Sequence, residues 1–229
     1  SLTIPLSIWS LFLPSNQLFL AITSLISIGY WGINYRKTNL FQTIESTLGR
    51  YSSAELISII VYILASLFFF SWLQNIYDSS FYHYQNIRWN EEYAVVPGVA
   101  NIDDRFGFNS NYFLLSAIFS FRFLLGEAIY TLQSLIVTVI GAWVLIELIK
   151  SKYEIKCLIT FLTYLLLFSV SVYFLGNTST DILPNFIVFY LIARIILRPD
   201  LLNNNLIGIV LPAFLLTCKL SFFPIGIIG

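Results

Sequence analysis

Residues 128–146 read AIYTLQSLIVTVIGAWVLI, nineteen residues without a charge. Two similar runs accompany this one, Leu56–Leu73 and Cys157–Leu175. A helix needs about 20 apolar residues to cross a hydrocarbon core about 30 Å thick. In lipid every backbone amide must be satisfied inside the protein, so such runs become helices or closed barrels. Barrel strands alternate apolar and polar residues over about 10 positions, and these runs do not alternate. The composition agrees, with 58% hydrophobic and 10% charged residues against about 25% charged in soluble domains. The expected fold class is all-α, a polytopic transmembrane helical bundle.

Outward from these runs, Leu2–Ile33 is uncharged but broken at Pro14-Ser15-Asn16. Proline stops a helix at the preceding residue, which predicts the end of one segment and then a span. The expected spans are about 17-33, 54-75, 128-149, 157-175, 182-197 and 205-229. Tyr112–Phe123 is short for a crossing and suits an interfacial or re-entrant segment. The chain begins without methionine and stops at Gly229 inside an apolar run. We therefore expect residues 1-229 to form one transmembrane domain of a longer protein.

The basic loops alternate with the others. Arg36/Lys37/Arg50, Lys150/Lys152/Lys156 and Arg194/Arg198 mark three cytoplasmic loops by the positive-inside rule. The loop 76-111 and the turn Gly176–Asp181 then share the extracytoplasmic face. Loop 76-111 is a polar island holding the only histidine, His83, and five of the twelve acids: Asp78, Glu91, Glu92, Asp103 and Asp104. Loops carry function where spans carry packing, so this loop is the expected working surface.

Ser79–Tyr93 is rich in aromatics and suits an amphipathic helix lying on the membrane surface. Asp78, Tyr82, Gln85 and Trp89 share a face at spacings of four, three and four. His83 stands about 140° from Asp78 on a regular helix, so pairing them requires a break. Plainer roles fit these residues as well. Asp78 suits an N-cap, Arg88 with Glu91 or Glu92 an exposed helical pair, Asp103 and Asp104 a solvated turn, and His83 a bond to a backbone carbonyl. Cys157 and Cys218 read as buried, inert thiols, and Asn177-Thr178-Ser179 as a chance sequon. A formal net charge of zero gives no support to a nucleic-acid partner.

The run Tyr82-His83-Tyr84-Gln85-Asn86-Ile87-Arg88-Trp89, with Glu91-Glu92-Tyr93, Val96-Pro97-Gly98, Asn101, Arg105 and Asn109-Ser110, resembles the first large loop of a family of uncharacterised bacterial multi-spanning proteins. Ser179-Thr180-Asp181 with Pro184 forms a second matching patch. The family's architecture is similar to the GT-C glycosyltransferases, which use polyprenyl-phosphate sugars. The resemblance implies an inner-membrane enzyme of cell-envelope glycan or glycolipid assembly, with a lipid-linked sugar as partner. It implies a catalytic Asp78, with His83, Gln85, Arg88, Glu91, Asp103, Asp104, Arg105, Asn109 and Asp181 at the substrate site. Arg88 and Arg105 are the loop's only bases, hence the expected cations for a leaving phosphate. Many GT-C loops carry paired acids where Asp78 is followed by Ser79 and Ser80, which leaves Asp103 or Asp104 to act as the partner. The cofactor is left unknown: oxygen ligands permit a divalent metal, whereas one histidine and two remote cysteines do not suit zinc. A transporter or flippase, or a non-catalytic assembly protein, remains the alternative. Few charges fall within the spans, chiefly Glu55, Glu147 and Lys219, which weighs against transport.

Overall fold

The computed structural model describes residues 2–38, 46, 49–70, 77–108, 110–198, 207–219 and 221. Every regular element among them is helical: α1 (Thr3–Ser10), α2 (Gln17–Thr38), α3 (Ser53–Phe70), a π-turn (Ser79–His83) running into α4 (Tyr84–Glu92), α5 (Asn111–Ile118), α6 (Arg122–Leu125), α7 (Thr131–Lys150), α8 (Ile155–Ser171), α9 (Ile182–Leu197) and α10 (Ile207–Cys218). Among the described residues three helical segments are long and apolar enough to cross a membrane: Gln17–Asn34, Thr131–Lys150 and Ile155–Phe174. The segments over 53–68, 182–197 and 208–218 are apolar but shorter. Residues 71–76, at the end of the span expected over 54-75, lie outside the described residues, as do 199–206 and 222–229.

α7 is the central post. It packs on α3, α8 and α9, and Val137, Ile140 and Val144 on its inner side are buried. α2 and α8 are peripheral, leaving Leu25, Ile26, Ile159, Leu162 and Leu166 exposed. Apolar faces of that extent mark contact with lipid or a partner. At the junction of α3, α7 and α8, Gly141 gives room for two tyrosines whose hydroxyls lie 2.6 Å apart, Tyr62 and Tyr164. The Tyr164 hydroxyl also donates to the Val137 carbonyl at 3.2 Å.

Pro14 interrupts the first apolar run, as its ring requires. Ser15 N–H then donates to the Asn90 carbonyl at 2.7 Å, binding the turn to α4. For the short stretch over 112–123, expected to be interfacial or re-entrant, burial argues against the interfacial alternative. Tyr112 through Ile118 are all buried, and α5 sits at the middle of the main core among Leu6, Ile87, Leu132, Leu183 and Leu215. The reason is composition: apart from Asn111 at its start and Ser116, α5 is apolar, so it has no charged face to turn towards water. Cys157 and Cys218 are free and buried, as expected.

Candidate functional site

The chain is already helical at Tyr77 and Asp78, and the helix widens at the next residue. Tyr84 N–H donates to the Ser79 carbonyl, a spacing of five rather than four. Such π-turns are rare, occur mostly as single turns within α-helices, and frequently mark functional sites. The wider turn supplies the break that the sequence required. It carries residues five apart towards one side, and Asp78 and His83 both border the same cleft. The extra residue also shifts the phase of α4 by about 100°. Gln85 and Trp89, expected to share the Asp78 face, therefore turn towards a separate shallow pocket. Gln85 stabilises the turn itself, its Nε2 donating to the Ser80 carbonyl at 2.9 Å.

The buried face of this helix consists of Ser79, His83, Ile87 and Glu91. Ser79 Oγ donates to the Thr178 carbonyl at 2.7 Å, and His83 Nδ1 lies 2.9 Å from the same oxygen. A carbonyl oxygen only accepts, so Nδ1 carries a hydrogen and the neutral ring presents Nε2 as an acceptor. Burial pushes the His83 pKa below its usual value of 6.5, opposed by the Thr178 bond and by the Asp78 and Asp181 carboxylates. The turn after α8 is bound down by further bonds. Tyr84 Oη donates to Asn177 Oδ1 at 2.7 Å, Ser179 N–H to Tyr112 Oη at 3.2 Å, and Gln133 Nε2 to the Phe174 carbonyl at 2.8 Å. Asn177 is 1% exposed, which removes it as a glycosylation acceptor in the folded chain.

The cleft encloses about 1170 Å³ between α1, the π-turn, α5, the turn 178–181 and the end of α10. Asp78, His83, Asp181 and Lys219 line it, together with the weaker acids Tyr82 and Cys218. The Lys219 ammonium pairs with the Asp181 carboxylate. Asp78 is exposed and forms no capping bond, so the helix-start role does not account for it. Ser110 Oγ donates to the Cys218 carbonyl at 2.7 Å, joining α5 to α10 beside Lys219. Ser7 Oγ donates to Asn111 Oδ1 at 3.0 Å, joining α1 to the same wall.

The other expected site residues lie elsewhere. Arg88 borders the shallow pocket of about 330 Å³ with Gln85, Trp89, Arg122 and Tyr130, and pairs with Glu92. Glu91 is buried, and its Oε2 accepts from Arg122 Nε at 2.9 Å, with Arg88 at 4.0 Å. The expected exposed pair is thus met by Glu92, whereas Glu91 anchors the helix inside. Arg105 covers the rings of Phe81 at 4.7 Å and Tyr82 at 5.9 Å, a cation–π contact. Asp103 Oδ1 accepts from Arg105 N–H at 2.9 Å, the turn role, and Asp104 is exposed. Asn109 lies outside the described residues.

The cation at the cleft is therefore Lys219, not Arg88. Its signal was a lysine inside an otherwise apolar run, which by default marks function. Ser79, Thr178 and Asn111 gave no such signal, because their roles depend on contacts across 99 and 104 residues. Among the described residues no group of three or more His, Cys, Asp or Glu is placed to hold a metal.

No curated protein and no solved structure matches the chain. A family model described as Domain of unknown function (DUF8201) matches residues 1–229, the whole of the chain, which therefore belongs to that family.

Proposed function

We propose that the cleft is the transfer site of a GT-C-like glycosyltransferase, working on the extracytoplasmic side of a bacterial inner membrane. The supporting observation is the π-turn, which sets Asp78 and His83 on one cleft with Asp181 and Lys219. In this reading a lipid-phosphate sugar enters from the bilayer. The Asp78 carboxylate takes the proton from an acceptor hydroxyl as its oxygen attacks the anomeric carbon, which is general-base catalysis. The bond from that carbon to the phosphate oxygen breaks, and its electron pair leaves with the lipid phosphate. Lys219, released from Asp181, compensates the phosphate charge.

The test is native mass spectrometry of the full-length protein extracted gently from its own membranes. A co-purifying polyprenyl-phosphate sugar is the expected result, with Asp78→Asn retaining the lipid and losing transfer to acceptor. Bulk phospholipid alone, at a loading where a known lipid-carrier enzyme keeps its ligand, would reject the reading. Undiminished transfer by Asp78→Asn would reject the assignment of the base.

A further inference from the structure

The two nitrogens of His83, the chain's only histidine, have different surroundings. Nδ1 is committed to the Thr178 carbonyl, whose oxygen also receives Ser79 Oγ. Two donors on one carbonyl oxygen occupy both lone pairs, so Ser79 and His83 together secure the turn at Thr178 and the orientation of the ring. Nε2 is buried, and no described residue bonds it. The side chain is 5% exposed and borders the cleft. Buried polar atoms are nearly always paired, and one left over calls for an explanation.

The cleft's other groups narrow what that partner can be. Asp78 and Asp181 both act on the imidazole, and both are acceptors when ionised. The one ammonium, Lys219, already bonds Asp181. The ionised carboxylates and Nε2 are acceptors, whereas the Tyr82, Thr178 and Thr180 hydroxyls on the same cleft both donate and accept, so a complementary ligand must bring hydrogens to the former. A divalent cation could take the ring nitrogen and the carboxylates together, but among the described residues no three His, Cys, Asp or Glu side chains are grouped to hold one. A hydroxyl satisfies both kinds of acceptor.

We infer that the cleft binds a polyhydroxylated ligand and that His83 Nε2 accepts a hydrogen bond from one of its hydroxyls, with Thr178 and Ser79 locking the tautomer. The inference rests on the transferase reading and gives its acceptor a chemistry: a sugar-like group held at one hydroxyl by His83 while Asp78 serves another. No bond is made or broken at His83, which binds and orients.

The test is nitrogen NMR of full-length protein in lipid nanodiscs with isotope-labelled histidine, the His83 signals being identified by their loss in His83→Asn. Methyl β-D-glucoside, methyl α-D-mannoside and glycerol serve as hydroxyl donors. Trimethylamine N-oxide, which has no hydrogen to donate, is the control. One protonated and one bare ring nitrogen are expected, with the bare resonance moving upfield on addition of at least one polyol and staying fixed with the N-oxide. A hydrogen on Nε2 in the ligand-free protein, or a bare resonance indifferent to every polyol, would overturn the inference. His83→Asn keeps an amide donor for Thr178 but has no atom at the Nε2 position. It should unfold at the wild-type midpoint and lose saturation transfer to the sugar, and transfer at the wild-type level would also overturn the assignment. A co-purified polyprenyl-phosphate sugar with an unresponsive His83 would sink this inference and leave the transferase reading standing. A responsive His83 without that lipid would do the reverse.

Discussion

Glu91 has two arginine neighbours, and their burial predicts very different consequences of losing each. Arg122 Nε meets Glu91 Oε2 at 2.9 Å with side-chain exposures of 29% and 7%. Arg88 approaches the same oxygen only to 4.0 Å, is 43% exposed, and has Glu92 as its nearer partner. Truncating one member of a buried pair strands the other and costs about 3–5 kcal/mol. Arg122 is partly solvated and Arg88 remains nearby, so we discount that cost and place Arg122→Ala at about 2–3 kcal/mol. For a chain of this size that lowers the unfolding midpoint by about 4–12 °C. Arg88→Ala removes only an exposed helical contact, worth less than about 0.5 kcal/mol. The assay is thermal unfolding in nanodiscs at one heating rate, followed by circular dichroism. Replacing both partners with Leu should recover most of the loss, because it removes the stranded carboxylate. Equal effects of Arg122→Ala and Arg88→Ala, or no recovery in the double variant, would refute the idea that Glu91 is a buried anchor.

Packing and protonation each give a further expected outcome. A Cβ on Gly141 would lie 2.0 Å from Tyr62 Oη and 2.3 Å from Tyr164 Oη, so Gly141→Ala should destabilise by about 2–3 kcal/mol through overpacking; a wild-type unfolding midpoint would contradict the packing of α3 and α8 on α7. His83 has a folded pKa below its unfolded value of 6.5, so the unfolded chain binds the proton first as pH falls. Its contribution is complete above 6.5 and is lost as pH drops from there through the lower folded value. Unfolding midpoints measured across that window should fall on acidification in the wild type and more shallowly in His83→Asn, and parallel curves would contradict this.

The helical class, the Pro14 break and the polar island were legible because hydropathy and proline act locally. The π-turn was legible only as a requirement. Regular geometry put Asp78 and His83 apart, and bonds from Ser79, His83 and Tyr84 to Thr178 and Asn177 hold the helix in its wider form. Arg122 as the partner of Glu91 was not legible, because the helical neighbour Arg88 offered a sufficient local explanation. Lys219 was visible as an anomaly but not as a neighbour of Asp181, 38 residues earlier. Local rules named the segment that matters, and tertiary contacts decided which of its residues meet.

α5 has a consequence for how the protein comes into being. Its eight residues make a rod of about 12 Å, less than half of a hydrocarbon core about 30 Å thick. A helix that short cannot be released into lipid as a unit of its own, since both ends would expose unpaired backbone there. Its N-terminus is instead closed by Ser110, which accepts from Tyr112 N–H and donates to the Cys218 carbonyl, a group made more than a hundred residues later. α5 therefore waits for α10 to arrive before it can settle. The wall that α5 and α10 share with the cleft is completed at the end of assembly, so a chain with every long helix inserted still has no finished cleft until that docking occurs.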